Sequence, residues 1–269
     1  MSSTLFNKKV VAITGGASGI GLAIGRKFAM EGAVIALIDM DQEALGQRQQ
    51  EFRDSGYEIM TVVCNVTDQS MCNSAIAEII QNFGGIDVLV NNAGITQRSS
   101  FMETDVDVYR KVMDVNFFGS LYCTKAAIDS LIERRGMIIV NESVAGLAPL
   151  VGRTGYSASK HALHGLFTSL RCEMRHKGVD VLIVCPGFIE TNLQTRALGG
   201  DGGVTDRPQT TVGTPDTAEH AAAEIYRAAV NKKPLLILTL MGKVGYWVSR
   251  LAPVLYEKMM TRQFKEELN

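Results

Sequence analysis

The chain has 269 residues, a formal net charge of −1 and a hydrophobic fraction of 46%. That length holds one large domain or two small ones, and the spacing of the motifs below favours one. The absence of a basic excess or a Lys/Arg run argues against a nucleic-acid binder, and five cysteines without a CxxC pair read as reduced thiols of a cytoplasmic protein.

In chain order, "MSSTLFNKKVVAITGG" lacks a basic region followed by an apolar one, so no secretion signal is expected. "VVAIT" (10–14) predicts a buried strand and 19–32 a helix. "VIALID" (34–39) predicts a second strand, followed by a charged helix to about Asp54. "MTVVCNV" (60–66) and "IDVLVNNAG" (86–94) predict strands three and four, with a helix over about 68–83 between them. A long helical region covers about 105–133, "GMIIVNES" (136–143) a fifth strand, 155–177 a helix, and "VDVLIVCPG" (179–187) a sixth strand. The pattern breaks over 188–217, where Gly, Thr and Pro without a period suggest a lid or binding loop. A helix at 216–231 and "PLLILTL" (234–240) complete the alternation, and no apolar run approaches the ~20 residues of a membrane span. Near-continuous apolar strands alternating with helices imply an α/β domain with a parallel sheet covered on both faces. Ligands of such sheets bind beyond the carboxyl ends of the strands. The unusual polar residues and turn-formers Gly15, Asp39, Asn65, Asn91, Ser143 and Pro186 fall there.

"TGGASGIG" (14–21) joins the first strand to the first helix. Its glycines allow a tight turn and close approach of a pyrophosphate to helix N-terminal amides, although glycines also serve plain strand-to-helix turns. Asp39 ends the second strand, where a carboxylate can accept both ribose hydroxyls of an adenosine. The competing reading makes Asp39 a helix cap, a role Asp41 could equally fill. A carboxylate there repels a 2′-phosphate, so NAD is expected rather than NADP. Tyr156 and Lys160 stand four apart at the front of a helix, which places a phenol and an ammonium on one face. Such a pair is either a solvated surface or a means of lowering the phenol pKa. His161 and His164 form an i, i+3 pair, but no Cys, Asp or Glu cluster joins them, and no metal is expected.

Taken in order, "TGGASGIG", "NNAG" (91–94), Asn116 in "DVNFFG", Ser143, "YSASK" (156–160) and "PGFIET" (186–191) resemble the short-chain dehydrogenase/reductase family. The similarity runs from about Lys8 to about Leu240. It implies a single-domain Rossmann fold with a seven-stranded parallel sheet and helices on both faces. It also implies an NAD(P)-dependent enzyme acting on a CH–OH group. Gly15, Ser18, Gly19, Ile20 and Gly21 would cradle the pyrophosphate, Asp39 the adenosine ribose, and Asn65 and Val66 the adenine. Asn92, Ala93 and Gly94 would pass along the cofactor ribose. Pro186, Gly187, Ile189 and Thr191 would border the nicotinamide, and Tyr156 and Lys160 would hold its ribose. The catalytic set carried over is Asn116, Ser143, Tyr156 and Lys160. Tyr156 is then the general acid/base, Lys160 lowers its pKa, Ser143 holds the substrate oxygen and Asn116 positions a relay water. Glu142 departs from the two small hydroxyl residues usual there.

The tail 241–269 is apolar and aromatic with scattered Lys and Arg, and Pro253 interrupts it. It is similar to the tail of 11-beta-hydroxysteroid dehydrogenases and related membrane-associated reductases. It reads as an amphipathic extension of the same domain that covers the substrate mouth, seals a subunit interface or lies on a membrane surface. The leading expectation is an NAD-dependent alcohol/ketone oxidoreductase for a hydrophobic substrate. The alternatives are an NADP-dependent 3-oxoacyl reductase and a catalytically silent nucleotide-binding scaffold. Phe117, Phe118, Leu163 and Phe167 read as apolar surplus on the helices at 105–133 and 155–177. The resemblance pairs subunits there, which implies a homodimer or homotetramer.

Overall fold

A computed structural model describes residues 4–268 except positions 192, 208 and 212. Those three fall in the expected substrate loop, and residues 1–3 in the expected domain; what was read for them lies outside the described residues.

Seven strands form one parallel sheet in the order β3-β2-β1-β4-β5-β6-β7. They are β1 (Val10–Thr14), β2 (Val34–Asp39), β3 (Ile59–Val63), β4 (Val88–Asn91), β5 (Met137–Asn141), β6 (Asp180–Cys185) and β7 (Leu235–Ile237). Alternation within β1 shows why the strands are apolar throughout. Val11 and Ile13 enter one core layer, whereas Val10 and Ala12 enter the layer on the other face. Helices α1 (Gly19–Met30), α2 (Gln42–Asp54) and α7 (Ala218–Val230) contribute to the first layer. Phe28 of α1 and Tyr226 of α7 meet Phe6 edge-on at 5.0 and 5.7 Å and each other at 5.2 Å. The second layer takes residues from α3 (Gln69–Phe83), α5 (Gly119–Arg134) and α6 (Thr154–Met174).

The strand order reverses between β1 and β4, which opens a crevice at the carboxyl ends of these neighbours. Several boundaries differ from expectation for local reasons. Beyond Val63, β3 keeps one bond to the end of β2, Cys64 N to Asp39 O at 2.8 Å, and Cys64–Val66 then line the crevice. The long helix expected at 105–133 is α4 (Val106–Met113) and α5, joined by a π-helical turn over Asp114–Phe118. β7 stops at Ile237 because the Thr239 hydroxyl accepts a hydrogen bond from Gly242 N and starts α8 (Leu240–Leu251). Pro253 occupies the first turn of α9 (Pro253–Gln263), where its missing N–H costs nothing.

Leu163 and Phe167 are 1% and 0% exposed in the chain's own core, so they are not the apolar surplus that was expected. Their helical positions face the sheet. Phe118 is the exposed member of that set, at 36%. A longer apolar row lies on the tail, where Leu240, Val244, Trp247, Leu251, Leu255 and Met259 are all exposed. Among the described residues no helix is long and apolar enough to cross a membrane.

Candidate active site

A cleft of about 610 Å³ opens at the carboxyl ends of the central strands. At its first wall Gly15 adopts φ +63°, and a Cβ there would sit 2.9 Å from Ala93 Cα. Gly19 adopts φ +53° at the start of α1. Ser18, Gly19 and Ile20 line the cleft at the end of α1 whose first N–H groups have no intrahelical partner. Gly21 is not a wall. A Cβ there would strike the Gly15 carbonyl oxygen and lie 2.5 Å from Asn92 Nδ2. Gly21 therefore lets the turn pack down onto the helix. Gly21→Ala should destabilise the fold by about 1–3 kcal/mol, read by urea unfolding, because a backbone carbonyl cannot swing aside as a side chain can.

At the far end of the cleft lie Asp39, Asp41, Asn65 and Val66. Asp41 Oδ1 accepts from Ala44 N at 3.0 Å and caps α2, which leaves Asp39 free of that task. Asp39 instead accepts from Ala17 N at 3.0 Å and Asp41 N at 3.2 Å. Its carboxylate is thereby fixed at the mouth of the glycine turn.

The other end holds Ser143, Tyr156 and Lys160. Tyr156 and Lys160 come from the first turns of α6 and are 8% and 4% exposed. Lys160 Nζ stands 5.6 Å from the Tyr156 ring centroid and donates to Asn141 O at 2.9 Å. Burial pulls the ammonium down to about 8, while Glu142 and Cys185 push it back up. Burial also raises the Tyr156 phenol; the hydrogen bond with Ser143 and the charge of Arg153 oppose this. The sequence reading had Lys160 lowering the phenol. Here the ammonium lies over the ring and bonds a carbonyl, and loss of solvent governs the tyrosine. Ser143 Oγ also accepts from Ala145 N at 3.1 Å, so it caps the turn Val144–Gly146 as well as facing the cleft.

Pro186, Gly187, Ile189 and Thr191 line the cleft beyond β6, and Asn92, Ala93 and Gly94 line it beyond β4. Asn116 sits behind it, wholly buried in the π-helical turn. Its Oδ1 accepts from Ile95 N at 2.8 Å, and its Nδ2 donates to Ile95 O at 3.0 Å and Ser159 Oγ at 2.8 Å. The side chain thus clamps the loop after β4 to α6. A π-turn of this kind is a frequent mark of a functional segment.

Sequence reasoning passed over the framework between the two ends. Thr14 Oγ1 accepts from Asn92 N and Ala93 N at 3.0 and 3.1 Å. Asn92 Nδ2 donates to Gly15 O at 3.0 Å, and Asn92 Oδ1 accepts from Asn141 Nδ2 at 2.8 Å. Asn141 O then receives Lys160 Nζ, so a continuous hydrogen-bonded chain runs from the glycine turn to the lysine. The available signal was an Asn at the end of β5 level with Asn91 and Asn92 at the end of β4. Gln97 was missed as well; its Oε1 accepts from Tyr156 N at 3.2 Å.

The outer wall combines Leu150, Phe188 and Leu193 with Arg153, Gln194 and Arg196. The loop over 188–217 is pinned by the bridges Ile189–Asp216 and Gln97–Leu198. Arg153 is held by both Glu267 oxygens at 2.5 and 3.3 Å, and Glu267 Oε1 also accepts from Thr210 N at 2.7 Å. One buried carboxylate therefore ties the loop to the start of α6. Glu267→Gln leaves a guanidinium uncompensated at 2% side-chain exposure. It should cost about 3–5 kcal/mol in urea unfolding.

The parallel sheet and the glycine turn define a dinucleotide-type fold, and Ser143, Tyr156 and Lys160 line its cleft. Residues 9–199 match the family described as short chain dehydrogenase, and the chain belongs to it; the protein is an oxidoreductase of the dehydrogenase/reductase class. It is similar to "Dehydrogenase/reductase SDR family member 7B" of Rattus norvegicus, with 34% identity covering 99% of this chain and 84% of the relative. The protein of that name from Xenopus laevis is 36% identical over 98% of this chain and 84% of its own. Among solved structures, a short chain dehydrogenase/reductase from Burkholderia phymatum in complex with NAD superposes with a TM-score of 0.83 at 23% identity. It covers 93% of this chain and 95% of its own. At that identity the likeness is one of fold.

Proposed function

We propose that the chain interconverts a secondary alcohol and a ketone on a hydrophobic substrate, using NAD(H), with Tyr156 as general acid/base. One observation carries the reading. Asp39 and the Ser143–Tyr156–Lys160 group occupy opposite ends of one cleft, and the Gly15–Asn92–Asn141–Lys160 hydrogen bonds join them. The residues fit a nicotinamide dinucleotide. Gly15, Ser18, Gly19 and Ile20 would offer the pyrophosphate a close backbone, and Asn92, Ala93, Gly94, Pro186, Gly187, Ile189, Thr191 and Lys160, which line the same cleft, would hold the remainder. Asp39 and Asp41 line the adenosine end, and their hydrogen bonds are to backbone amides, so a 2′-phosphate would meet two carboxylates.

A bound nicotinamide supplies or takes up the hydride. The chain supplies the rest. Ser143 donates to the substrate oxygen, where negative charge develops, and Tyr156 exchanges its phenolic proton with that oxygen. Because burial raises the phenol, Tyr156 is protonated across neutral pH, which suits proton donation during ketone reduction. Lys160 keeps its ammonium below about 8 and loses it as pH rises through that value, so cofactor affinity should fall above it. Asn116 acts through its hold on Ile95 and Ser159.

The reading is tested by mixing the protein with NAD and a panel of secondary alcohols and sterols and following absorbance of the reduced cofactor. A 3-oxoacyl thioester with NADPH tests the 3-oxoacyl reductase alternative. Tight cofactor binding without turnover of any alcohol or ketone would favour the silent scaffold. We further propose a cytoplasmic homodimer or homotetramer, with Phe118 at the contact. The exposed row of α8 and α9 then serves as a lid, a subunit seal or a membrane-surface contact.

A further inference from the structure

Glu142 lies one residue beyond β5 with its side chain fully buried against His164, next in sequence to Asn141, whose carbonyl accepts from Lys160 Nζ. Its Oε2 is 3.1 Å from His164 Nδ1, and its Oε1 makes no hydrogen bond within the described chain. Gly146 makes the fit possible. A Cβ there would collide with Glu142 Oε1 and lie 2.8 Å from the Lys160 carbonyl oxygen. The carboxyl group therefore nestles against the turn of α6 that carries Lys160. Tyr156, Lys160 and His164 follow at i, i+4 and i+8 on one face of that helix, with His164 reaching 26% side-chain exposure. A buried acid one residue along from the carbonyl that holds a buried ammonium calls for a role, since each charge is costly to bury alone.

We propose that Glu142, clamped by His164, is a positioning residue: it supplies the counter-charge to Lys160 and so sets the pH range over which Lys160 holds the cofactor. The titratable groups that act on or respond to Glu142 are Tyr156, Lys160, His161 and His164 of α6 and Cys185 of β6. Burial raises the Glu142 carboxyl, and His164 and Lys160 oppose that rise and favour its charged form. Removing His164 thus lets Glu142 hold its proton to higher pH. Removing the Glu142 charge lets burial pull Lys160 lower still.

The proposal rests on Lys160 holding the cofactor, and NADH affinity tests both without a known substrate. Fluorescence titration of NADH from about pH 6 to about pH 10 is run on wild type, Lys160→Met, Glu142→Gln, Glu142→Asp and His164→Asn. Wild type should lose affinity with a midpoint near 8, and Lys160→Met should show no such step. Glu142→Gln should move the midpoint down by about one pH unit. His164→Asn should move it the same way by less, and Glu142→Asp should restore part of the shift. A midpoint unchanged or raised in Glu142→Gln and His164→Asn, while Lys160→Met abolishes the step, overturns the proposal. A flat profile in wild type overturns the cofactor role of Lys160 itself. Should Glu142→Gln fail to fold, the His164→Asn midpoint decides.

Discussion

Tyr156→Phe should lower turnover by about 10²–10⁴-fold and leave NADH affinity within a few-fold. The phenol has a position fixed by the first turn of α6, and Ser143 lines the same cleft. Removing one oxygen deletes the proton donor and leaves the ring packed under Lys160. The ring accounts for most of the buried surface, so the fold should survive, and a urea unfolding curve close to wild type checks this. Steady-state rates in both directions measure the loss. An equal fall in kcat and kcat/KM marks an interaction made in the transition state. Tyr156→Phe as active as wild type would remove the acid–base assignment.

The second large effect falls at the other end of the cleft. Asp39→Ala should weaken NAD binding by about 10–100-fold, the loss expected when hydrogen bonds to a charged group are deleted. NADP should lose nothing and should gain, because a repelling carboxylate has gone. The ratio of the two affinities, from fluorescence titrations of NADH and NADPH, should therefore fall by at least the same factor. A ratio that stays fixed would mean that Asp39 serves only as the acceptor for Ala17 N and Asp41 N seen in the structure.

Asp39 was also among the most legible residues in the sequence, and the reason is physical. Strand ends are where an apolar run must stop, so a charged or hydroxyl residue there stands out against its neighbours. Asp39, Ser143 and the glycine turn were visible in this way, as was the alternation of β1 to β6 with helices. What the local pattern could not show was which side of a helix meets which neighbour. Leu163 and Phe167 looked like surplus because α6 is apolar on more than one face, yet both are buried in the core layer on that side of the sheet. The π-helical turn at Asp114–Phe118 was read as plain helix, since one extra residue in a turn leaves little trace in hydrophobic spacing. The bond from Asn92 to Asn141 crosses 49 positions and needs the sheet to exist first. The influence of burial on Tyr156 was hidden for the same reason. A sequence gives the ammonium four residues away, and only the fold gives the loss of solvent.

Glu142 illustrates the converse. It stood out in the sequence as a departure from two small hydroxyl residues, without a role. The structure supplies the neighbours that give it one.

On the proposed function, hydride and proton transfer happen at the Ser143–Tyr156–Lys160 end of this cleft. The most direct measurement uses a secondary alcohol deuterated at the carbinol carbon, drawn from those the panel turns over, mixed with NAD and the protein. Mass spectrometry then follows the label. The account predicts deuterium in the reduced nicotinamide, with transfer in Tyr156→Phe slowed by about 10²-fold or more. Cofactor bound at saturation, with no label transferred by wild type from any alcohol of the panel, would contradict it.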